Sequence, residues 1–494
     1  MLPSDIIAYP PITLIMTLTL YNTLTRRQET LETVEPGKVL MYYCGVTVYD
    51  YCHLGHARAC IVWDVVRRYL EFRGYEVYYV QNFTDIEDKI LNRARLEGSS
   101  MEVVAERYIQ AYFEDMARLH IREASEYPRA THTINGIQRL IHELEHKGYA
   151  YAADGDVYYA VRQFAEYGRL SGRKLEDLRA GASDRVDLTD QEYQKKRDPF
   201  DFALWKAAKA GEPAWESPWG AGRPGWHIEC SAMVRDRLGD TIDIHTGGTD
   251  LIFPHHENEI AQSVAVTGKP LARYWMHNGM VTVDGEKMSK SLGNFTTIRD
   301  LLDRGIDPMA VRLFVLFAQY RNPIDFTDEA ITAATNGWHT LKEGLLFGPQ
   351  YGKQLGWEME TTLLPQITER FQAAVDDDFN FPGGLTVLFE LAKELRREGN
   401  ILVHQGKTDA SSPQLHQQWY TLVTLAQVLG FTAEMETTST QTGLGDADIE
   451  ALIQQRQSAR QAKNFTEADR IRLELEAQGI TLIDSRDGSR WHRN

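Results

Sequence analysis

The chain has 494 residues, of which 43% are hydrophobic and 25% charged, with four cysteines and a formal net charge of −17. That length exceeds one hydrophobic core and predicts two to four packed units; the balance excludes wholesale disorder, and cysteines this sparse exclude a disulfide framework and point to a reducing, cytoplasmic compartment. The acidity excludes a surface that grips phosphate everywhere, but the stretch from Glu450 onward is net +1 against −18 for the remainder, which leaves the tail open to an anionic partner.

Residues 12–20 are apolar, yet Pro10 and Pro11 precede them and the first basic residue is Arg26. Neither a secretory signal nor a membrane span fits that pattern. Residues 1–16 read as a disordered N-terminal extension, with Met16 an alternative start. Residues 39–44 predict a buried strand, and residues 57–73 a helix with Ile61, Val65, Tyr69 and Phe72 on one face, ended by Gly74. A second strand at 76–83, a helix from 86 and a helix opened by a Ser99–Glu102 capping box and running to 119 complete a βα pattern. Alternation of this kind predicts an α/β fold: a doubly wound, Rossmann-type parallel sheet that binds ligands beyond the carboxyl ends of its strands.

Residues 17–119 read as the first half of that Rossmann-type domain, the expected catalytic one. Residues 120–224 read as an inserted α/β segment, with a polar helical stretch, a strand at 156–161 and a charged run at 173–197. Residues 225–320 supply the second half, with the sheet resuming at 241–245 and continuing through 274–283. Asp307-Pro308 starts a helix that runs to 320. Helical patterns at 328–346, 364–375 and 385–397 predict an α-helical bundle over 321–433. Residues 434–445 are a linker rich in Thr, Ser and Gly. A small terminal α+β element, residues 446–494, has a helical pair over 446–479 and a hairpin of 480–484 and 489–492 turning at Asp487-Gly488.

Three groups of residues carry chemistry. His53-Leu54-Gly55-His56 stands between the first strand and its helix. A helix N-terminus attracts phosphate through its unpaired N–H groups, imidazoles beside it can donate further, and Gly55 lets a base or ribose approach. Lys287-Met288-Ser289-Lys290-Ser291 lies on a loop after the strand that ends near 283; two ammonium groups three apart suit the charge that develops on departing pyrophosphate. Cys44 closes the first strand, Cys230 follows Gly225-Trp226-His227-Ile228-Glu229, and His255 and Glu259, four apart, share a helical face. Two thiolates, an imidazole and a carboxylate make a tetrahedral zinc set, with His256 competing for the imidazole's place. Cys60 reads as a small buried hydrophobe and Cys52 as a pocket wall.

The first two motifs resemble the paired signatures of class I aminoacyl-tRNA synthetases, with Leu54 where that family has Ile. The third group selects the cysteinyl-tRNA synthetases, which the chain resembles over nearly its whole length, down to Arg456, Ala459, Arg460, Lys463, Phe465, Ala468, Asp469 and Arg472 in the tail. The resemblance implies one zinc ion per chain on Cys44, Cys230, His255 and Glu259. It implies phosphate stabilisation by His53, His56, Lys287 and Lys290, Lys290 foremost, with Gly55 also at the ATP. Thr84, Trp226 and Asp250 are similar to positions lining a cysteine pocket, Asp250 pairing the ammonium and Trp226 closing over it, although each also fits a structural role. The implied activity is activation of L-cysteine with ATP and Mg2+ to cysteinyl-adenylate, then transfer to the terminal adenosine of tRNA(Cys), by a monomer with no membrane partner.

Zinc distinguishes a thiolate from a hydroxyl by bond chemistry, so no editing domain is expected and the insertion reads as an acceptor-end module. Trp491 and Arg493 suit stacking and charge contacts with anticodon bases, and Trp491 equally suits an anchor for the hairpin. The alternatives are a cysteine ligase of thiol biosynthesis with an amino-sugar acceptor, and a non-catalytic zinc protein that binds RNA.

Overall fold

The computed structural model describes residues 17–177, 194–288, 293–357, 361–435, 446–478, 480–485 and 488–493. The expected N-terminal extension, most of the linker, and Ser289, Lys290 and Ser291 lie outside the described residues. The chain divides into two compact units, one built from 1–339, 364–389 and 423–432, the other from 340–363, 390–422 and 433–494. Among the described residues no helix is long and apolar enough to cross a membrane.

In the first unit a short antiparallel pair, β1 (Thr19–Asn22) and β2 (Arg27–Thr30), leads to β3 (Lys38–Thr47), α1 (Leu54–Phe72) and β4 (Glu76–Thr84). The helices α2 (Asp88–Glu97) and α3 (Met101–Arg118) follow. Ser100, rather than Ser99, caps α3, its side chain accepting from the N–H of Val103; the cap sits directly before the first helical residue, one position later than the Ser99–Glu102 spacing implies. After α4 (Ile134–His146) the insertion forms a four-stranded antiparallel sheet of β5 (Ala150–Ala153), β6 (Asp156–Tyr159), β7 (Phe202–Ala207) and β8 (Gly222–Pro224), in that order. Then come α5 (Trp226–Leu238), β9 (Ile242–Gly248), α6 (Glu257–Thr267) and β10 (Ala272–Asn278).

The central sheet is wholly parallel in the order β10-β9-β3-β4. The chain builds outward from β3 to β4 on one side, leaves for the insertion, and returns to build β9 and β10 on the other. The order therefore reverses between β3 and β9, which is where an open α/β sheet offers its ligand crevice. Pairing of these two strands ends at Tyr43 with Thr246, so Cys44 is the first residue of β3 beyond the pairing. Burial on both faces, as a parallel sheet requires, accounts for the nearly continuous apolar run Val39–Val46.

The insertion does not keep a core of its own. Ile137, Leu140, Ile141 and Leu144 of α4 and Val157, Tyr159, Leu204 and Trp205 of its sheet pack in one cluster with Ile228 and Ala232 of α5 and Ala261 and Ala265 of α6.

The expected single strand over 274–283 is broken at Gly279. A Cβ there would stand 2.4 Å from the carbonyl oxygen of Asn322, so the chain turns where only glycine fits. β11 (Val281–Val283) starts a separate sheet with β12 (Glu286–Lys287), followed in the chain by α7 (Ile298–Asp303), α8 (Pro308–Leu316) and β13 (Ile324–Phe326), the last pairing parallel to β11. Asp307 caps α8, accepting from the N–H of Met309, and the helix ends at Leu316 rather than 320.

A buried ion pair ties α1 to α8: Arg312 Nη1 lies 3.0 Å from Asp64 Oδ2, both side chains at most 1% exposed. Burial pushes the Asp64 carboxyl up, but the guanidinium groups of Arg68 and Arg312 outweigh it and hold the pKa below its ordinary value. Asp64→Ala leaves Arg312 buried without its countercharge, and is expected to cost about 3–5 kcal/mol, read from the denaturant midpoint. Because the folded pKa is depressed, the pair's contribution is present above about pH 4 and lost as the pH falls below it.

Helices at Asp328–Tyr351, Pro365–Val375, Phe381–Gln405 and Ser412–Val428 occupy the stretch read as helical. In the second unit the helices Asp446–Gln461 and Phe465–Ala477 precede the hairpin of β14 (Ile480–Ser485) and β15 (Gly488–Arg493). Ser485 pairs with Gly488, so Gly488 belongs to a strand and not to the turn. Trp491 packs against a core of Ile449, Ile453, Ile471, Leu475, Ile480 and Leu482, the anchoring role of its two readings. Arg456 is also buried. The side chain of Arg493 lies outside the described residues.

Candidate active site and metal centre

Four elements converge at the switch point of the sheet. Cys44 projects from β3, Cys230 from the second turn of α5, and His255 and Glu259 from the irregular turn that enters α6 and from α6 itself. Their donor atoms all lie within 4.8 Å of one another and the residues are between 0 and 4% exposed. Cys44 Sγ is 3.3 Å and His255 Nε2 3.2 Å from the same oxygen, Glu259 Oε1. Burial drives the Cys44 thiol well up; at Cys230 the hydrogen bond with Cys44 is the largest single influence and lowers the pKa, but burial and the Glu259 charge together outweigh it and the thiol is raised. Among the described residues, no lysine or arginine is among the leading influences on either thiol. Two soft thiols, an imidazole and a carboxylate buried together without a side-chain cation fit Zn2+, whose charge would ionise them.

The turn entering α6 is not one regular helix. Phe253 has extended backbone, φ −139° and ψ 130°, yet the four-residue spacing still brings His255 and Glu259 together. His255 rather than His256 faces both cysteines, because His256 points its Nδ1 to His277 Nε2 at 2.8 Å and keeps its Nε2 3.9 Å from Glu259.

Three histidines escaped the sequence reading. His245 Nε2 holds the second oxygen of Glu259 at 2.9 Å, and His227 Nδ1 lies 3.0 Å from His255 Nδ1; such outer partners orient metal ligands. His277, behind His256, reaches Thr23 Oγ1 at 2.8 Å. His245 and His256 also form a second convergent group with Cys44. The available signal was His245 in the strand directly before Gly247-Gly248, at the register position opposite Tyr42.

Trp226 lies on the His255 imidazole, ring centroids 4.2 Å apart. Thr84, 3% exposed, ends β4, with Asn82 Nδ2 at 3.5 Å from its hydroxyl. Asp250 is exposed and shares a cavity of about 390 Å³ with Thr249, Met280, Val281, Thr282 and Lys287. Thr84 and Trp226 do not line it. Asp250 and Lys287, of opposite charge and far apart in sequence, therefore face one space.

The His53–His56 motif folds differently from the expected bare helix N-terminus. His53 Nδ1 accepts from the N–H groups of Gly55 (3.0 Å) and His56 (3.3 Å), while His56 Nδ1 accepts from the His53 N–H at 3.2 Å. The Leu54 N–H is donated to the Thr296 carbonyl at 3.2 Å. The first-turn donors are thus taken, which leaves the imidazoles rather than the backbone N–H groups to face a ligand. Burial lowers His53 to about pKa 4 and His56 well below its ordinary value. Both rings are neutral, and with each Nδ1 accepting, each carries its proton on Nε2 as a fixed donor. The rings stack with centroids 3.7 Å apart. Gly55 is required by this fold-back: a Cβ would stand 2.8 Å from His53 Cε1.

Three family models match the chain. The model for the class I (C) tRNA synthetase catalytic domain matches residues 30–336, the DALR domain 370–434, and the cysteinyl-tRNA ligase anticodon binding domain 443–491. The chain is 70% identical over 487 residues to a cysteine–tRNA ligase of Gloeothece citriformis and 69% identical over 486 residues to one of Rippkaea orientalis, in each case across 97% of this chain and all of the relative. The fold is similar to that of Mycobacterium tuberculosis methionyl-tRNA synthetase in complex with methionyl-adenylate, with a TM-score of 0.55 at 16% identity over 79% of this chain and 89% of that one. It is also similar to an Agrobacterium radiobacter LeuRS–tRNA–LeuAMS complex, with a TM-score of 0.57 at 13% identity over 81% and 85%. None of these likenesses supports an amino-sugar ligase or a non-catalytic zinc protein. A sheet with its crevice between β3 and β9, a match over most of the chain to one catalytic-domain model and 70% identity to a named relative lead to one result: the chain belongs to the cysteine–tRNA ligase family of class I aminoacyl-tRNA synthetases.

Proposed function

We propose that this chain joins L-cysteine to tRNA(Cys) in two steps, with Cys44, Cys230, His255 and Glu259 holding zinc. A carboxylate oxygen of cysteine attacks the α-phosphorus of ATP, the bond from that phosphorus to the bridging oxygen breaks, and pyrophosphate leaves with the electron pair, giving cysteinyl-adenylate. A hydroxyl oxygen of the terminal adenosine then attacks the carbonyl carbon, and AMP departs. The bound zinc would take the substrate thiolate as a ligand and refuse the harder, less acidic hydroxyl of serine.

The chain's own groups supply the rest. His53 and His56 present neutral Nε2–H donors to phosphate oxygens, and Lys287 and Lys290 meet the charge that grows on pyrophosphate as Mg2+ accompanies the nucleotide. Asp250 pairs the substrate ammonium beside Lys287. Thr84 bounds the cysteine pocket, and Trp226, lying on His255, covers it. Residues 120–224 take the acceptor end; residues 225–320 complete the catalytic domain begun at 17–119; residues 446–494 bind the anticodon, which the match of 443–491 to an anticodon binding domain supports. The protein works as a cytoplasmic monomer.

The convergence of Cys44, Cys230, His255 and Glu259 at the sheet's switch point, as a set that could hold a metal ion, is the observation that carries this reading. Purified protein is expected to show one zinc per chain, ATP–pyrophosphate exchange with cysteine but not serine, and charging of tRNA(Cys). A folded, zinc-loaded sample that exchanges no pyrophosphate would overturn it, as would a sedimentation mass of twice the chain for the monomer.

A further inference from the structure

Arg58 lies two residues beyond His56 on α1 and is 0% exposed. No carboxylate among the described residues pairs with it. Its Nη1 donates to the Met280 carbonyl at 2.7 Å, and its Nη2 to the carbonyls of Tyr320, at 3.0 Å, and of Asn322. Burial lowers its pKa to about 10, so the group stays charged at neutral pH and three carbonyl dipoles are its compensation. A buried charge with no counter-ion is a poor way to gain stability, which directs attention to where those carbonyls are.

Met280 immediately precedes β11, and Tyr320 and Asn322 precede β13; these two strands pair in parallel, and β11 leads on through β12 to Lys287. Met280 itself lines the cavity that Asp250 and Lys287 share. The same junction is closed from its other side by Gly279, whose N–H reaches the Tyr320 carbonyl at 2.9 Å. Beyond the Lys-Met-Ser-Lys-Ser segment the returning chain is laddered to the histidine motif, Leu54 N–H to Thr296 and Ile298 N–H to Cys52 at 3.0 Å. The chain leading to Lys287 and the chain returning at Thr296 are both tied to α1, one by a guanidinium and the other by backbone.

We propose that Arg58 is a positioning residue for adenylate formation, setting the separation between the His53 and His56 donors on α1 and Lys287 on the β11–β12 pair. This rests on the two-step reading above. The planar fork reaches both strand entries at once, whereas a lysine in its place satisfies one carbonyl at a time. Misplacement by about an ångström of groups that act only in the transition state costs on the order of 100-fold in rate.

The test compares Arg58→Lys and Gly279→Ala with the wild type in cysteine-dependent ATP–pyrophosphate exchange. Zinc content, thermal midpoint and single-turnover transfer from preformed adenylate to tRNA are measured on the same samples. Arg58→Lys is expected to lower kcat for exchange about 100-fold while the KM for cysteine, the zinc content and the transfer rate stay within about twofold. Gly279→Ala, which leaves Arg58 intact and pushes on the Asn322 carbonyl, is expected to give the same pattern. Arg58→Lys with kcat within twofold of the wild type overturns the positioning role, and so does a parallel fall in cysteine affinity, zinc content and thermal midpoint. A wild type without exchange overturns the two-step reading and this proposal with it.

Discussion

Cys230→Ser is expected to leave the protein folded, largely zinc-free and about 10⁴-fold weaker in kcat/KM for cysteine, the scale of discrimination lost when a site built around one polar contact loses it. The substitution is nearly isosteric, so the packing of α5 against β3 changes little. What changes is the donor: a buried serine hydroxyl does not ionise beside Cys44 and Glu259, and oxygen is the poorer ligand for a metal already held by a thiolate. Glu259 remains fixed in the variant, since His245 and His255 still hold its two oxygens. The decisive measurements are zinc per chain by elemental analysis and pyrophosphate exchange against cysteine concentration. A zinc-free variant that exchanges at the wild-type rate would remove the metal from substrate recognition. Chelation of the wild-type protein is expected to give the same loss, reversed by added zinc.

His53→Asn separates two duties that one imidazole performs. Asparagine is among the best helix caps, and its side-chain oxygen can accept from the N–H groups that His53 Nδ1 now serves, those of Gly55 and His56. It has no counterpart to the Nε2–H on the far side of the ring. The thermal midpoint is therefore expected to hold while the exchange rate falls about 10²- to 10³-fold, the loss typical of one preorganised donor to transition-state charge. The wild-type pH profile provides a second check. Burial holds the free His53 near pKa 4, so kcat/KM for ATP, which reports the free enzyme, should show no inflection at the ordinary imidazole pKa of about 6.5. For stability the sign follows from the depressed folded value: His53 adds nothing above about pH 6.5 and subtracts stability progressively as the pH falls towards 4.

Local signals along the chain translated well into structure. Periodicity and Gly74 delimit α1, Asp307-Pro308 starts α8, and alternating strands and helices predict the parallel sheet, because each of these depends on residues within a turn or two of one another. The errors fall where an outcome depends on a distant partner. Nothing near Gly279 announces that Asn322 will crowd it, so the strand was expected to continue. The helix N-terminus looked open to phosphate because the reach of His53 Nδ1 back to Gly55 and His56 is a matter of side-chain rotamer. The candidate metal ligands were legible as a set through family resemblance, but His227 and His245 hold two of them across strand and helix packing, for which sequence spacing carries no mark. Lys290, the lysine singled out for adenylation, lies outside the described residues, and its part rests on the motif.

The core that the insertion shares with α5 and α6 bears on how small a working version of this protein can be. Those two helices carry Cys230 and Glu259 on one face and, on the other, the Ile228, Ala232, Ala261 and Ala265 side chains that close over α4 and the antiparallel sheet. Cutting out residues 134–224 would expose that apolar face to water and withdraw the backing from two of the four candidate metal donors at once. The insertion is thus part of the foundation of the candidate metal centre, and any attempt to pare the chain to its signature motifs has to keep it.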